Sequence, residues 1–259
     1  MTNHVRCETL GELLSPSQVN TYLTCPAKWY FRYLVGLSEP ATGNLALGKA
    51  FHQTLAANFR QKISSGHDMD AAGVRDEFRQ AWASNSAEAE LREDEDASDL
   101  AVTGEALLTT YIGEAARSIE PRAVELPVEG EIAGVKVRGI VDVVDADGRV
   151  LDFKTASKRP NGVTADHSLQ LTTYAMVTPG ASGSCRLDTV TKTKTVQVIQ
   201  QSYEVGAEER RFAETLYPMV QDSIRDGIYP PHRSSPLCSR KHCGYWRECE
   251  RELGGRVPE

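Results

Sequence analysis

Apolar positions in the first 120 residues recur with the spacing of amphipathic helices. Ser15-Pro16-Ser17-Gln18 is typical of a helix start, with Ser15 as the cap and Pro16 at the first helical position. A second, aromatic-rich helix is expected from Pro26, and we expect its rings to pack in a core. The periodicity predicts further helices over 44–63, 71–85 and 98–118. The first half of the chain is therefore predicted to be helical.

β-branched runs replace this pattern after residue 120. Strands are expected near 123–128 and 132–138, followed by a hairpin over 139–154. Beyond the hairpin the pattern predicts, in order, a helix, two strands and a helix, over 167–177, 185–192, 196–205 and 207–225. This order predicts an α/β core of mixed sheet with a leading helical region.

Two aspartates interrupt the apolar residues of the hairpin. Asp142 and Asp152 each lie between apolar neighbours, where a strand ordinarily buries hydrophobic side chains. The residues 145–148 suit a three-residue turn that ends with Gly148 in the left-handed conformation. Such a turn places Asp142 opposite Asp152 on one face, because side chains alternate along a strand. Lys154, two residues after Asp152, joins the same face.

This arrangement predicts a cation site. A lone carboxylate among apolar residues is costly unless it is paired or bound to a metal. Two adjacent carboxylates also repel each other, and a divalent cation allows both to stay ionised. A solvated strand face is the alternative, because Asp-x-Lys and Asp-Gly are each common on their own.

The charge and length of the chain limit its class. The 259 residues can form one large domain or a domain with a helical subdomain. We find no apolar run long enough to span a membrane and no signal pattern, and we expect a cytoplasmic protein with no membrane partner. The net charge is −7, but residues 88–99 hold seven acids and one base, or −6 of it. The acidity is local and does not exclude an anionic partner.

The cysteines indicate a second metal site. Cys238, Cys243 and Cys249 follow a proline-rich approach, with spacings typical of an irregular segment held by a metal. A fourth ligand is needed, and Cys25, directly before Pro26, is the best candidate. Cys7 and Cys185 compete with it, although Cys185 opens an apolar strand and suits a small buried residue better. Four thiolates hold either zinc or an iron–sulfur cluster, and the spacing does not choose between them.

Other polar residues are less distinctive alone. His52 lies one turn after Gly48, beside the apolar stripe of its helix, where a histidine is more often a core residue than a ligand. Gln170 and Tyr174 share a helix face. Several basic residues either line a groove for a phosphate backbone or are ordinary solvated charges: Lys154, Lys158, Arg159, Lys192, Lys194, Arg233, Arg240 and Lys241.

Taken together, these motifs resemble the RecB-like nucleases of the PD-(D/E)XK superfamily. The resemblance is greatest to the iron–sulfur branch that includes the CRISPR-associated exonucleases and the AddB-type recombination nucleases. It covers most of the chain and rests on six motifs in order: Leu14–Ser17 through Cys25–Phe31, Gly48 with His52, Gly139–Asp142, Asp152–Lys154, Gln170 with Tyr174, and the three closing cysteines.

The resemblance implies a restriction-endonuclease-like fold, with a mixed β-sheet core flanked by helices, an N-terminal helical region and a cysteine-clasped tail. It implies a single nuclease domain over residues 1–259. Its regions would be the N-terminal helices (1–40), a helical region (41–120), the nuclease core (121–228) and the cluster-binding tail (229–259).

The resemblance also implies roles for particular residues. His52, Asp142 and Asp152 would bind Mg²⁺ or Mn²⁺, with help from the carbonyl of Phe153. Lys154 would activate the attacking water, and Gln170 and Tyr174 would order the site and contact DNA. The ligands of a [4Fe-4S] cluster would be Cys25, Cys238, Cys243 and Cys249.

The function expected from the resemblance is metal-dependent hydrolysis of DNA, as an exonuclease on single strands or ends. Two alternatives are a non-catalytic scaffold subunit of a CRISPR adaptation or recombination complex, and a zinc-stapled hydrolase of another kind. Partners would be DNA and the proteins of such complexes, and homo-oligomers are compatible with the pattern. The chain contains no G-x4-G-K-[ST] phosphate loop, so any unwinding is expected from a partner.

Overall fold

The computed structural model of the protein describes residues 12–259. This part of the chain forms two compact units. The first unit contains the described part of 1–39 together with 129–139 and 207–259, and the second contains 40–128 and 140–206. The assignment of a single domain to residues 1–259 stays a prediction. Cys7, one of the competing cluster cysteines, lies outside the described residues.

Helices and strands follow one another largely as predicted. In chain order they are β1 (Leu13–Leu14), α1 (Pro16–Thr24), α2 (Pro26–Trp29), α3 (Gly43–Ser65), α4 (Ala71–Ser86), α5 (Ala97–Glu114), β2 (Pro121–Ile132), β3 (Val135–Asp145), β4 (Val150–Ala156), α6 (Ala165–Val177), β5 (Ser184–Thr191), β6 (Val198–Glu204), α7 (Ala207–Arg225) and α8 (Trp246–Leu253). A π-helical turn over Tyr30–Val35 continues α2, and a 3₁₀ turn over Ala116–Ser118 follows α5.

The first helix begins where its cap predicts. The Gln18 amide donates to the Ser15 hydroxyl at 3.3 Å, and the Ser15 amide donates to the Gln18 side chain at 2.8 Å. This reciprocal pair satisfies two amides that a helix start leaves without partners. Cys25 is extended and ends α1, and Pro26 begins α2.

One predicted strand was wrong. The segment 132–138 is not a strand of its own, because a two-residue turn at Ala133 and Gly134 separates β2 from β3. Both residues have positive φ, 46° and 83°, as expected for the tight turn of a twisted hairpin. Ala-Gly lacks the asparagine or aspartate that usually marks such a turn in a sequence. The predicted helix over 98–118 is also shorter, since α5 ends at Glu114.

The strands form a mixed sheet in the order β1-β3-β4-β5-β6, with β2 also paired to β3. β1 runs parallel to β3 and β4 parallel to β5, whereas β3–β4 and β5–β6 are antiparallel. In the second unit α3 packs on β4, α5 packs on β5 and β6, and α6 packs on β4 and β5. The predicted α/β class, a mixed sheet flanked by helices, is confirmed.

The main core lies in the second unit. Residues of α3, α4 and α5 pack there against β3, β4 and β5, with fully buried rings at their centre. Cys185 of β5 is also fully buried, as predicted for a small apolar residue. Among residues 12–259 no helix has the length and apolar character needed to cross a membrane.

Candidate active site

The hairpin between β3 and β4 has the predicted register. Val143 lies opposite Leu151, and the Asp145 amide donates to the Arg149 carbonyl at 3.0 Å. The same register, extended by one pair, places Asp142 opposite Asp152. The predicted three-residue turn is confirmed.

The turn requires glycine at its last position. Gly148 has φ +75°, and its amide donates to the Asp145 carbonyl at 3.0 Å. A Cβ atom there would lie 2.5 Å from the carbonyl oxygen of Gly180. Both the conformation and the close backbone therefore exclude a side chain.

Asp142 is held by α3 and by the next strand. Its Oδ2 accepts a hydrogen bond from the Phe153 amide at 2.8 Å and lies 3.4 Å from Nδ1 of His52. Burial by itself would raise the pKa of Asp142, but the charge and hydrogen bond of His52, with a smaller effect of Lys154, lower it. Asp142 is therefore an anion that pairs with an imidazole.

His52 turns towards this carboxylate from α3. Burial by itself would lower the pKa of His52, but the charge and hydrogen bond of Asp142 raise it above its usual value. The imidazole ring also contacts the Phe153 ring, with centroids 6.3 Å apart. His52 is thus half-buried at the edge of the core and borders the carboxylates, which the sequence alone did not distinguish from an ordinary core histidine.

Asp152 is engaged on both oxygens. Its Oδ1 accepts from the Gln170 side-chain amide at 2.9 Å, and its Oδ2 lies 2.5 Å from the Lys154 ammonium. Burial, followed by the charge of Asp142, raises the pKa of Asp152 to about 6. Burial favours the neutral form of Lys154, but the charges of Asp152 and Asp142 raise its pKa above the usual value.

The helix α6 supplies the remaining polar contacts. The Gln170 amide donates to the Tyr174 hydroxyl at 3.3 Å as well as to Asp152. Burial raises the pKa of Tyr174, so its hydroxyl stays protonated. The structure thus brings Gln170 and Tyr174 to Asp152, and their contacts with DNA stay a prediction.

Phe153 has two different surroundings. Its ring is buried between Phe59 and Tyr111, with centroids 5.7 Å and 5.5 Å away. Its amide donates to Asp142, as described above. Phe153 therefore fixes β4 against the core, and a role of its carbonyl as a metal ligand stays a prediction.

Glu125 belongs to this site and was missed in the sequence. Ligand atoms of His52, Glu125 and Asp142 all lie within 4.8 Å of one another, a set that does not include Asp152. Glu125 lies in β2 with φ +48°, a conformation that costs a residue with a side chain about 1–2 kcal/mol. Such strain is concentrated at functional sites. The missed signal is an acid between two apolar strand residues, the same signal that identified Asp142 and Asp152.

These side chains fit a hard divalent cation. Carboxylate oxygens and one imidazole nitrogen are ligands for Mg²⁺ or Mn²⁺, and ligands bound at about 2.1 Å lie within about 4.3 Å of one another. The grouping of His52, Glu125 and Asp142 is close to this requirement. Burial and the charge of Asp142 raise the pKa of Glu125, as expected where acids crowd together without an ion.

The site opens into a cleft of the second unit with a volume of about 820 Å³. His52, Asp142 and Lys154 line it, so the candidate ligands and the ammonium are accessible from solvent. Of the basic residues singled out in the sequence, Lys154 and Lys192 line the cleft. The other lining residues are Asn44, Leu45, Gly48, Lys49, Gln53, Ala56, Arg60, Asn85, Glu125, Ile140 and Thr155.

The four predicted cluster cysteines lie together in the first unit. They line one cavity of about 80 Å³ as free thiols: Cys25, Cys238, Cys243 and Cys249. The His232 amide donates to the sulfur of Cys25 at 3.4 Å. Burial raises the pKa of Cys243 and of Cys249, and the other thiols add to the shift. Cys185 lies in the second unit and is not part of this group.

The spacing of the thiols bears on the kind of metal. Among residues 12–259, no three of these sulfur atoms lie within 4.8 Å of one another. A zinc ion with bonds of about 2.3 Å holds its thiolates about 3.8 Å apart. The cavity is wider than a single zinc ion needs, and a larger group fits it better.

The whole chain was compared with known proteins. The family model of the PD-(D/E)XK nuclease superfamily matches residues 13–250. The mixed sheet, the paired aspartates and the lysine two residues later are the features of that class. The chain belongs to the PD-(D/E)XK nuclease superfamily.

Solved structures show the same fold. One is a protein from Eubacterium rectale that carries the provisional name exonuclease; it has 11% sequence identity and a TM-score of 0.61, and covers 92% of this chain and 91% of its own. At this identity the likeness shows the fold alone. A second structure, SSO0001, has 15% identity and a TM-score of 0.34 over 92% of both chains, which carries no argument. No curated protein matches the chain.

Proposed function

We propose that this protein is a metal-dependent DNA nuclease that acts as an exonuclease on single-stranded DNA or DNA ends. The observation that carries the proposal is the convergence of His52, Asp142, Asp152 and Lys154 beside an open cleft. Carboxylates in apolar strands are costly, and a chain without cation chemistry has no need of them. Membership of the nuclease superfamily supports the same reaction.

The ligands of the cation, Mg²⁺ or Mn²⁺, would be His52, Asp142 and Asp152, with Glu125 as a further carboxylate. Such an ion supplies an activated water and polarises the phosphoryl oxygens. The Phe153 amide and His52 hold the Asp142 carboxylate in place. Gln170 holds the Asp152 carboxylate from the other side.

Lys154 would act on the reacting groups. Its ammonium is positioned by Asp152 at 2.5 Å and stays charged, because both aspartates raise its pKa. A fixed positive charge at the cleft offsets negative charge that develops on the phosphate. It also orients the attacking water by a hydrogen bond.

The decisive experiment compares cleavage of end-labelled single-stranded DNA, double-stranded DNA and RNA in Mg²⁺ and in Mn²⁺. Wild type should cut DNA, and Lys154→Ala should lose about 10²–10³-fold in rate while it keeps its fold. Lys136→Ala, at an exposed position of β3, is the matched control with the wild-type rate. Undiminished cutting by Lys154→Ala would remove this lysine from the mechanism, and cutting of RNA alone would overturn the DNA assignment.

Circular single strands test the exonuclease assignment. An enzyme that needs an end leaves a circular strand intact and degrades the same strand after linearisation. Equal cleavage of both forms would show endonuclease action. Binding to DNA without cleavage under either cation would favour the scaffold alternative in a CRISPR adaptation or recombination complex.

We also propose that Cys25, Cys238, Cys243 and Cys249 hold a structural [4Fe-4S] cluster. Their common cavity and the wide spacing of their thiols support it. The purified protein should be brown and absorb at about 400 nm, as iron–sulfur proteins do. Cys25→Ala should lose the colour and Cys185→Ala should keep it. A colourless protein with bound zinc would contradict the cluster.

A further inference from the structure

The helix α3 has two sides of different character. Its apolar side packs into the core, with buried residues that include Leu47, Phe51, Leu55 and Phe59. Its other side lines the cleft and carries small, polar and basic residues: Asn44, Gly48, Lys49, His52, Gln53, Ala56 and Arg60. These positions recur at three- and four-residue steps, so they form one continuous stripe along the helix. One wall of the cleft is therefore a single helix face.

Positive charges lie on both sides of the candidate catalytic centre along this stripe. With a rise of about 1.5 Å per residue, Lys49 lies about 4.5 Å before His52 along the helix axis and Arg60 about 12 Å after it. Both side chains are exposed. Lys192 reinforces the first side, because its ammonium contacts the Asn44 side chain there.

The length of the stripe suits several nucleotides. Lys49 and Arg60 are about 16 Å apart along the axis, which equals about five stacked nucleotides at about 3.4 Å each. Phosphates are the groups that lysine and arginine bind in a sequence-independent way. The spacing is too long for one phosphate and matches a continuous backbone.

The other lining residues indicate what part of a strand is bound. Among residues 12–259, those that line the cleft include no phenylalanine, tyrosine or tryptophan. Base stacking in single-strand sites depends on such rings. The apolar members Leu45, Ala56 and Ile140 are aliphatic. Recognition here is therefore of the charged backbone rather than of the bases.

We propose that the cleft side of α3 is a track for a phosphodiester backbone that continues on both sides of the cation site. Lys49 and Lys192 bind phosphates on one side of the scissile bond, and Arg60 binds them on the other. A strand thus passes through the site instead of ending in it, and binding is independent of base sequence. This inference rests on the proposed nuclease function and names how its substrate is held.

Binding without cleavage tests the track. The affinity for a fluorescein-labelled single-stranded DNA oligonucleotide of mixed sequence is measured by anisotropy in EDTA. Lys49→Ala and Arg60→Ala should each weaken binding about three- to tenfold at low salt and lower the salt dependence, log Kd against log salt, by about 0.7 per lost phosphate contact. The double variant should combine the two losses, and Lys49→Arg should restore most of the affinity.

Arg75→Ala is the matched control. Arg75 is an exposed arginine of α4 that does not line the cleft, and its removal should leave affinity and salt slope unchanged. A loss with Lys49→Ala but not with Arg60→Ala would overturn the two-sided track, and unchanged affinity in both would overturn the track altogether. Neither outcome affects the nuclease assignment, which depends on cleavage by wild type and its loss in Lys154→Ala.

Discussion

The side-chain amide of Gln170 donates a hydrogen bond to Oδ1 of Asp152 at 2.9 Å, across the packing of α6 on β4. Because Oδ2 of the same carboxylate contacts Lys154, this bond fixes which way the carboxylate turns. Gln170 is therefore a positioning residue, which acts on the reaction through Asp152.

Replacing Gln170 by leucine should change the pH dependence of cleavage. The lost hydrogen bond stabilises the ionised carboxylate, so its removal raises the pKa of Asp152 above about 6. The acid limb of the rate profile should move to higher pH, and the rate at neutral pH should fall about tenfold.

Tyr174→Phe is the control for this prediction. It removes the hydroxyl that contacts Gln170 but leaves the bond to Asp152, so its acid limb should stay near that of wild type. A Gln170→Leu profile that fell in height without moving along the pH axis would contradict the assigned role.

Glu125→Gln should weaken cation binding. The carboxylate lies with His52 and Asp142 in a set of three candidate ligands, and an amide is a poorer ligand for Mn²⁺. Loss of an outer residue around a metal costs about 10–100-fold in affinity, and loss of a direct ligand should cost no less. Titration calorimetry with Mn²⁺ measures the change. Glu131→Gln, at an exposed position of the same strand, should bind as wild type does; equal affinity in both variants would exclude Glu125 as a ligand.

Gly48→Ala should make the protein more stable and bind DNA less well. A Cβ atom at Gly48 would meet only the Thr155 hydroxyl at 3.9 Å, so the helix accepts it and gains up to about 1 kcal/mol. The same methyl group projects into the cleft beside His52, where we propose that the backbone runs.

Urea unfolding and DNA anisotropy separate these two effects. Gly113→Ala on α5 has open space around it and lies away from the cleft, so it should not alter DNA affinity. Gly48→Ala with unchanged affinity would show that the backbone does not pass close to this part of α3.

Glu95 should stabilise the protein in a pH-dependent way. Its carboxylate accepts hydrogen bonds from the amides of Gly43 and Asn44 at the start of α3, each at 2.9 Å, and from the Arg92 amide at 3.0 Å. Burial by itself would raise the pKa of Glu95, but the hydrogen bonds lower it to about 2. Because this folded-state pKa is below the usual value of 4.5, the stabilisation is complete above about pH 4.5 and is lost as the pH falls towards 2.

Glu95→Gln should therefore lower the free energy of unfolding by about 1 kcal/mol at pH 7, a value limited by solvent screening. The difference from wild type should shrink as the pH falls to 2. Glu93→Gln, an exposed acid of the same segment, should have little effect at either pH. A Glu95→Gln deficit that did not depend on pH would show that the charge is not what stabilises the helix start.

Features set by neighbouring residues were predictable. The Ser15 cap, the helices and the turn at Gly148 depend on side chains within a few positions of one another, and the hairpin register followed from the turn. The turn at Ala133 and Gly134 failed because its residues do not prefer the left-handed conformation strongly enough to mark it.

Sequence alone determined that an acid pair and a lysine meet on one hairpin, because a turn of known length and the two-residue period of strands act over short distances. Only the tertiary structure decided that Glu125 and His52 join them and that Lys49 and Arg60 face the same cleft. Those contacts depend on how α3 packs against the sheet and on the local distortion of β2. Long-range packing, unlike turn chemistry, leaves no signature in the residues beside each position.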